Sequence, residues 1–210
     1  MPEKSVRTKP RKQPQQERSI QRVDAILAAA TKLIADRGMS GLKMTEVAAS
    51  AGVPIGSLYQ YFPEKVAIVR ALFDRLAARV EAMIDGRLAG VGSRAEALDR
   101  VEALAGDFYD VYRREPALMG IWFGSLADSE LQLLNVRSIA REIRIFHDHL
   151  KPLLPAGSRI DLEARCNIAL LMMGSAVRFA VSQDRETGDR LIAECKRSLR
   201  QMLFAEPAGE

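Results

Sequence analysis

The sequence has few cysteines, few aromatic residues and no long apolar run, and these shortages exclude whole classes of protein. Its 210 residues include two cysteines, Cys166 and Cys195, which are too few for a disulfide framework. We expect buried, idle thiols in a reducing compartment. The longest apolar run, Ile168 to Val177, has ten residues, whereas a membrane-spanning helix needs about 20. Residues 1–16 carry charges without an apolar core, so no signal peptide is predicted. A soluble, cytoplasmic protein is expected.

Motifs of known catalytic chemistry are also missing. The sequence contains no phosphate-binding loop, no paired catalytic carboxylates and no Ser/His/Asp grouping, so we do not expect an enzyme. The two histidines, His147 and His149, stand two positions apart and would point to different faces of a helix, which argues against a metal site. Neither a metal nor a cofactor is predicted.

Positive charge is concentrated at the start of the chain. Residues 1–65 contain 11 lysines and arginines against 6 acidic residues, whereas the remainder contains 20 against 21. Residues 1–16 include three prolines and five basic residues and are predicted to form a disordered arm. This distribution favours a polyanionic partner for the first third only, with a basic tail that merely increases solubility as the alternative.

Apolar residues recur at helical spacing along the whole chain. Steps of three and four separate the apolar residues from Ile20 to Ile34 and from Val66 to Met83, and no stretch shows sustained period-two alternation. Capping patterns begin further helices at Ser93 and at either Asp128 or Ser129. The sequence therefore predicts an all-α protein of about nine helices, the last from about residue 188 to 204.

Residues 44–62 match the spacing of a helix-turn-helix. Ala48 supplies the small residue where two helices touch, and Gly52 supplies the turn position that requires a positive φ. The positions that face the core are then Val47, Ala51, Val53, Leu58 and Tyr61.

Two segments here, TEVAASAGV (residues 45–53) and GSLYQYFPEK (residues 56–65), resemble the signature of the TetR family of transcriptional regulators. The resemblance covers about residues 17–70. It implies a dimeric regulator, in most members a repressor, that binds a pseudo-palindromic DNA operator and is released by a small-molecule effector. The expected division is an arm (residues 1–16), a helix-turn-helix DNA-binding domain (17–64), a connecting helix (65–85) and an effector-binding and dimerisation domain (86–210).

The third helix, about residues 55–61, is the expected reading helix. Leu58 and Tyr61 would hold it against the first two helices, while Gln60 offers an amide that can pair with an adenine edge. Ile55 offers an apolar contact, and hydroxyl groups such as that of Tyr59 would donate to phosphate oxygens. The complete set of predicted DNA contacts is Lys43, Thr45, Pro54, Ile55, Gly56, Ser57, Tyr59, Gln60, Tyr61 and Lys65.

Two of these positions depart from the family pattern. Lys43 stands where a serine or threonine usually caps the second helix, and Pro54 replaces the usual serine cap of the third. Lys43 would instead approach a phosphate by charge. An alternative function is therefore a helical small-molecule-binding protein whose DNA-binding head is vestigial.

The C-terminal half is rich in large apolar residues, some of which would line the effector cavity that the resemblance implies. Tyr112 and Trp122 are favoured because each combines an apolar body with a polar group, and core packing is the alternative for every candidate. The candidates are Phe108, Tyr112, Met119, Trp122, Phe123, Phe146, Met172 and Met173. Arg178 would neutralise an acidic ligand or form an ion pair at an interface.

The last two helices form the dimer interface in the family, and ordinary packing within the chain is the alternative. Small residues near Ser175 would allow close helix approach, and a stripe in the last helix would complete the contact. The predicted interface residues are Gly174, Ala176, Leu191, Cys195 and Leu199.

Overall fold

All regular structure in the described part of the chain is helical. The computed structural model describes residues 13–126 and 128–206, and within them there is no strand. The α-helices are α1 (Gln13–Arg37), α2 (Met44–Ala51), α3 (Ile55–Tyr61), α4 (Lys65–Leu88), α5 (Arg94–Arg114), α6 (Ala117–Leu126), α7 (Ser129–Leu150), α8 (Leu162–Val181) and α9 (Arg185–Leu203). A single 3₁₀ turn, Lys151–Leu153, follows α7. The all-α prediction with about nine helices is confirmed.

Three boundaries differ from those expected from the sequence. Helix α1 begins at Gln13, inside the predicted arm, while residues 1–12 lie outside the described part of the chain. Helix α4 continues through Gly86 to Leu88, because the left-handed turn that follows it occurs at Gly90, with φ of 69°. Helix α9 begins at Arg185 because the side chain of Asp184 caps it.

Side-chain caps fix the starts of the helices in the C-terminal half. The hydroxyl oxygen of Ser93 accepts a hydrogen bond from the amide of Glu96 at 3.2 Å, and a Glu96 carboxylate oxygen accepts one from the amide of Gly92 at 3.0 Å. This reciprocal arrangement is the capping box that the sequence predicts for α5. The carboxylate of Asp128 similarly accepts hydrogen bonds from two amides at the start of α7.

The chain divides into two compact units, with the boundary between Leu72 and Phe73. In the first unit α2 packs on α1 and α3 packs on α2. Gly52 has φ of 66°, and its amide bonds to the carbonyl of Ala49, so it makes the left-handed turn that the helix-turn-helix template requires. The buried apolar side chains of this unit include Ile26, Leu27, Ile34, Leu42, Val47, Leu58, Phe62, Ile68 and Val69.

The second unit is built around α8, which packs on α5, α7 and α9. Helix α9 also packs on α5, and α6 packs on α7. Residues Cys166, Met173 and Val177 of α8 are completely or almost completely buried, as are Cys195 and Leu199 of α9. Burial of these side chains provides the main apolar stabilisation of the unit.

Both cysteines are free and buried, as the sequence predicts. Burial raises the pKa of the Cys166 thiol to about 12, and it also raises the pKa of Cys195. Because the thiolate is the reactive form, neither side chain is suited to nucleophilic or redox chemistry.

Helix α8 is the one helix of the described residues with the length and composition of a membrane span. The sequence did not predict this, because Asn167 and the charged residues at each end limit the uninterrupted apolar run. A single helix of this kind is weak evidence for a membrane, since α8 also packs on three other helices of the same unit. Its exposed apolar residues are Ile168, Leu171 and Phe179.

Helices α8 and α9 approach closely at Gly188, a position that the sequence analysis did not select. A Cβ atom there would overlap the hydroxyl of Tyr109 and lie 2.7 Å from the carbonyl oxygen of Ala180. Only a residue without a side chain fits between α5 and the end of α8 at this point.

We predict that Gly188→Ala lowers the free energy of unfolding by about 2–3 kcal/mol, because the added methyl group must displace backbone atoms. Gly86→Ala is the matched control, since a Cβ at Gly86 would meet no atom within 4 Å. That change should be neutral or stabilising by up to about 1 kcal/mol. Urea unfolding followed by fluorescence of the single tryptophan, Trp122, measures both. Equal stability of the two variants would contradict the close approach at Gly188.

We also predict that Leu58→Ala destabilises α3 by about 2–5 kcal/mol, because Leu58 is fully buried and the shortened side chain leaves a cavity. Ile55→Ala in the same helix should change stability by less than about 0.5 kcal/mol, since Ile55 is largely exposed. Amide hydrogen exchange at Leu58 and Phe62 reports the opening of α3 directly. If the two variants exchange alike, Leu58 does not hold the helix.

Candidate nucleic-acid interface and ligand cavity

Helix α3 is fixed by one buried face. Leu58 is fully buried, Phe62 follows the helix and is also buried, and Tyr61 is half-buried. The hydroxyl of Ser19 in α1 donates a hydrogen bond to the phenol oxygen of Tyr61 at 3.2 Å. This hydrogen bond, together with the nearby Arg22, lowers the pKa of Tyr61. The Tyr61 hydroxyl, which the sequence analysis included among the phosphate contacts, therefore has a partner within the chain.

The opposite face of α3 is exposed and carries no charged residue. Tyr59 is 48% exposed and Ile55 40% exposed, and Gly56 and Gln60 lie on the same open side. A Cβ at Gly56 would meet no atom within 4 Å, so packing inside the chain does not require glycine there. The face thus offers one amide, one phenol, one aliphatic group and exposed backbone within a single short helix.

Neither α2 nor α3 has a side-chain cap. Lys43 occupies the N-cap of α2 without a capping hydrogen bond, and its ammonium group lies 3.7 Å from the carboxylate of Glu46. Arg37 also pairs with Glu46, at 2.6 Å. Pro54 occupies the N-cap of α3 with φ of −58° and ψ of 140°, and its carbonyl accepts hydrogen bonds from the amides of Ser57 and Leu58. The fixed φ of proline presets this turn in place of a cap.

The remaining predicted contacts surround α3. Thr45 is exposed in the first turn of α2, while Ser57 and Lys65 are half-buried at the start of α3 and of α4. Lys43 is 71% exposed, so its pairing with Glu46 is weak and its ammonium group remains accessible. All ten predicted residues belong to the first unit, within the segment from residue 43 to residue 65.

The second unit contains a cavity of about 280 Å³. Its wall is mainly apolar and comes from α4, α5, α6, α7 and α8. The lining residues are Phe73, Leu76, Ala77, Val80, Phe108, Tyr112, Trp122, Asn135, Ser138, Ile139, Glu142, Leu170, Leu171, Met173, Gly174, Val177 and Arg178. A mostly apolar cavity with a few polar groups is the usual form of a small-molecule site.

A cation lies in this wall. The guanidinium carbon of Arg178 is 4.2 Å from the ring centroid of Trp122, which is the geometry of a cation–π contact. The same group donates a long hydrogen bond of 3.4 Å to the hydroxyl of Ser175 and hydrogen-bonds to Tyr112. Burial lowers the pKa of Arg178 and raises that of Tyr112.

A carboxyl group faces the same cavity. Glu142 accepts a hydrogen bond from the hydroxyl of Ser138 at 3.0 Å. Burial raises the pKa of Glu142, and the hydrogen bond from Ser138 opposes this effect. The carboxyl group therefore keeps its proton to a higher pH than an exposed glutamate does.

Gly174 makes room for the arginine. A Cβ at this position would lie 3.0 Å from one terminal nitrogen of Arg178 and 3.6 Å from its guanidinium carbon. The guanidinium thus folds back along α8, one turn before its own residue. Gly174 is predicted from the sequence to lie at the dimer interface, and in the structure it lies in the cavity wall.

Half of the predicted pocket residues lie in the cavity wall. Phe108, Tyr112, Trp122 and Met173 line it. Phe146 is wholly buried in the core, and Met172, next to Met173, is turned away from the cavity and half-buried. These two were misplaced because apolar character alone does not distinguish a cavity wall from packed core.

The other two predicted pocket residues lie elsewhere in the unit. Met119 lines a separate depression beside Pro116 and Val181. Phe123 packs edge-to-face against Trp122, with ring centroids 5.0 Å apart, and is largely exposed. Glu142 and Ser138 are polar residues of the wall that were not predicted from the sequence. Their spacing of four positions in α7 places them on one face of the helix, and it was the signal that could have identified them.

The predicted dimer stripe in α9 is wrong for two of its residues. Cys195 and Leu199 are buried by the chain itself, where α9 packs on α5 and α8, so neither is available to a partner. Leu191 and Ala176 are half-buried. The exposed apolar side chains of α8 are instead Ile168, Leu171 and Phe179, which follow helical spacing.

Among residues 13–126 and 128–206, no group of three or more histidine, cysteine or acidic side chains is placed to hold a metal ion. Each histidine instead lies beside an aspartate, His147 with Asp148 at 3.1 Å and His149 with Asp85 at 2.8 Å.

Two family descriptions match the sequence. "Bacterial regulatory proteins, tetR family" matches residues 26–72, and "Tetracyclin repressor-like, C-terminal domain" matches residues 95–207. The HTH-type transcriptional repressor KstR of Mycobacterium tuberculosis is 34% identical over 104 residues, which are 50% of this chain and 44% of the relative. The chain spans about half the length of the curated relatives it matches.

Solved structures share the fold over most of the chain. The fatty acid degradation regulator FadR from Bacillus halodurans superposes with a TM-score of 0.70 at 19% identity, over 88% of this chain and 97% of that chain. FadR from Bacillus subtilis, in complex with stearoyl-CoA, gives a TM-score of 0.63 at 17% identity, over 88% and 99%. The helix-turn-helix, the helical second unit and the match of the C-terminal family description to residues 95–207 agree, and the protein belongs to the TetR family of transcriptional regulators.

Proposed function

We propose that the protein is a transcriptional repressor that binds a pseudo-palindromic DNA operator as a homodimer and is released by a small-molecule effector. The observation that carries the proposal is the outward face of α3, which is held rigidly by Leu58 and Tyr61 but exposes Tyr59 and Gln60. Membership of the TetR family and the repressor KstR among the relatives support it.

The α3 face has the chemistry of a major-groove reading helix. Gln60 can donate to and accept from an adenine edge, and Ile55 can contact a thymine methyl group. Gly56 lets the backbone approach the DNA, and the hydroxyl of Tyr59 can donate to a phosphate oxygen. The absence of any carboxylate from α3 removes the charge repulsion that would oppose this approach.

Phosphate contacts are assigned to the residues around α3. Lys43 and Lys65 supply positive charge at the starts of α2 and α4, and Thr45 and Ser57 supply hydroxyl groups. The missing side-chain caps of α2 and α3 leave their first amides without a side-chain acceptor, and a phosphate oxygen would serve as one. Tyr61 is assigned to holding α3 and is removed from the phosphate contacts.

Dimerisation is assigned to the exposed apolar stripe of α8. Ile168 is 54% and Phe179 60% exposed in the single chain, and both would be buried against a second copy. An apolar surface of this kind on a globular protein marks an interaction site. Two recognition helices about one DNA turn apart then follow from the symmetry of the dimer.

The cavity of the second unit is assigned to the effector. An effector that favours a dimer with its recognition helices out of register shifts the population away from DNA. The stearoyl-CoA bound by FadR from Bacillus subtilis supports a small organic effector for this fold. A non-enzymatic role in the cytoplasm, where DNA is available, completes the proposal.

Selection of bound sequences from random DNA tests the function. We expect enrichment of a pseudo-palindrome, with an affinity that falls by about 10³-fold or more between 50 and 200 mM salt. Recovery of no sequence would contradict repression and would favour a ligand-binding protein with a vestigial head.

In the enriched sequence, Gln60→Ala should relax the preference at one base position, with a loss of about 1–3 kcal/mol of discrimination against the wrong base.

Tyr59→Ala is the matched change for Gln60→Ala on the same exposed face. It should weaken binding to all sequences alike, because a phosphate contact carries no sequence information. Stability should be unchanged in both, since both side chains are exposed. If neither substitution alters DNA binding, α3 is not the reading helix.

The dimer is tested separately by Phe179→Glu. We expect sedimentation velocity to show a dimer for the unaltered protein and a monomer for Phe179→Glu at micromolar concentration, because a carboxylate would be buried without a partner. Phe123→Glu is the control, since Phe123 is 58% exposed but belongs to α6. Dissociation caused by the control but not by Phe179→Glu would assign the interface to α6 and contradict the assignment to α8.

A further inference from the structure

Arg178 differs from three other arginines that link segments of the second unit. Arg79 pairs with Glu115, Arg141 pairs with Glu81, and Arg200 pairs with two carboxylates. Within the part of the chain that the structure describes, Arg178 forms no ion pair, and its partners are the Trp122 ring and two hydroxyl groups. Glu142, which also lines the cavity, attracts the guanidinium through space but makes no ion pair with it, so the positive charge at the cavity is only partly compensated.

An unpaired cation in a partly buried site has a desolvation cost that a bound anion would offset. A buried glutamate can avoid the desolvation cost of its charge by taking up a proton, whereas the guanidinium of arginine stays charged in proteins. Burial raises the pKa of Glu142, which favours its neutral form, and the hydrogen bond from the hydroxyl of Ser138 acts in the opposite direction. Arg178 is thus the group whose charge a bound anion would stabilise.

The shape of the cavity limits the rest of the ligand. Its volume of about 280 Å³ equals that of roughly nine water molecules in the liquid, at about 30 Å³ each. Much of the remaining wall is apolar, with Phe73, Leu76 and Val80 from α4 and Leu170 from α8. A compact apolar body fits this space.

We propose that the cavity binds a compact organic monocarboxylate, with its carboxylate on the guanidinium of Arg178 and the hydroxyl of Tyr112 and its apolar body against α4. A planar carboxylate matches the two parallel N–H donors of a guanidinium. The proposal names the effector class for the site assigned above and in that respect rests on the proposed function. Gly174 is a positioning residue, because a Cβ there would lie 3.0 Å from a terminal nitrogen of Arg178 and would shift the guanidinium slightly.

Trp122 provides the readout, since it is the only tryptophan and its ring lies under the guanidinium. The probes are octanoate, 4-phenylbutyrate and 1-naphthoate, each with its primary amide and the corresponding amine, titrated into the full-length protein. Isothermal titration calorimetry repeats each titration without optical interference. We expect at least one acid to bind at least about tenfold more tightly than its amide, and the amines to bind more weakly still.

Three variants test whether Arg178 causes the tighter binding of the acid. Arg178→Gln should abolish the difference between acid and amide, and Gly174→Ala should reduce it by displacing the guanidinium. Arg197→Gln is the control, because Arg197 is exposed in α9 and pairs with Glu194, away from the cavity. It should leave the difference unchanged. The acid–amide comparison in the unaltered protein stands even if Arg178→Gln fails to fold.

The proposal is overturned if the unaltered protein prefers amides or amines, if none of the three acids binds below about 1 mM, or if Arg178→Gln keeps the acid preference. These outcomes are independent of DNA. If random-sequence selection recovers no DNA while the acid preference holds, the ligand class stands and the regulatory function fails. If DNA is bound and no acid is, the regulator stands and the ligand class fails.

Discussion

The DNA-binding assignment depends on one physical constraint: a helix of seven residues is not stable by itself in water. Helix α3 has no capping side chain and no charged residue, so its position comes from burial of Leu58 and from the hydrogen bond between Ser19 and Tyr61. Both fixing contacts lie on one face. The opposite face, with Tyr59 and Gln60, does not hold the helix in place, and its side chains are therefore available for contact with DNA.

In the second unit, the group proposed to bind the ligand is a positive charge beside an apolar cavity. Arg178 is held by the Trp122 ring and by hydroxyl groups rather than by a carboxylate. An ion pair within the chain would have neutralised it and made an anionic ligand superfluous. Gly174 permits this arrangement, since any side chain at that position would displace the guanidinium.

Helical periodicity and capping patterns were sufficient to predict the all-α fold, the start of α5 at Ser93 and the left-handed turn at Gly52. Those signals lie between residues close together in the sequence, so they can be read from it directly. The residues that bury a side chain can be far away in the sequence or in another chain. The stripe containing Cys195 and Leu199 is truly apolar, but the sequence does not say whether the same chain or a second copy covers it. Likewise, the sequence left two roles open for Arg178, an acidic ligand or an ion pair at an interface, and its surroundings in the cavity wall required the positions of other helices.

Helix α8 joins the two proposed activities of the second unit. Met173, Val177 and Arg178 face the cavity, while Ile168 and Phe179 are exposed on the surface assigned to the dimer, and Leu171 belongs to both sets. A helix of 20 residues moves largely as one body. A ligand that draws Arg178 away from Trp122 therefore acts on the element that carries the dimer surface. We therefore expect effector binding and subunit geometry to be linked through this helix, and such a linkage is reciprocal: dimerisation would alter the affinity for the ligand by the same factor as the ligand alters dimerisation.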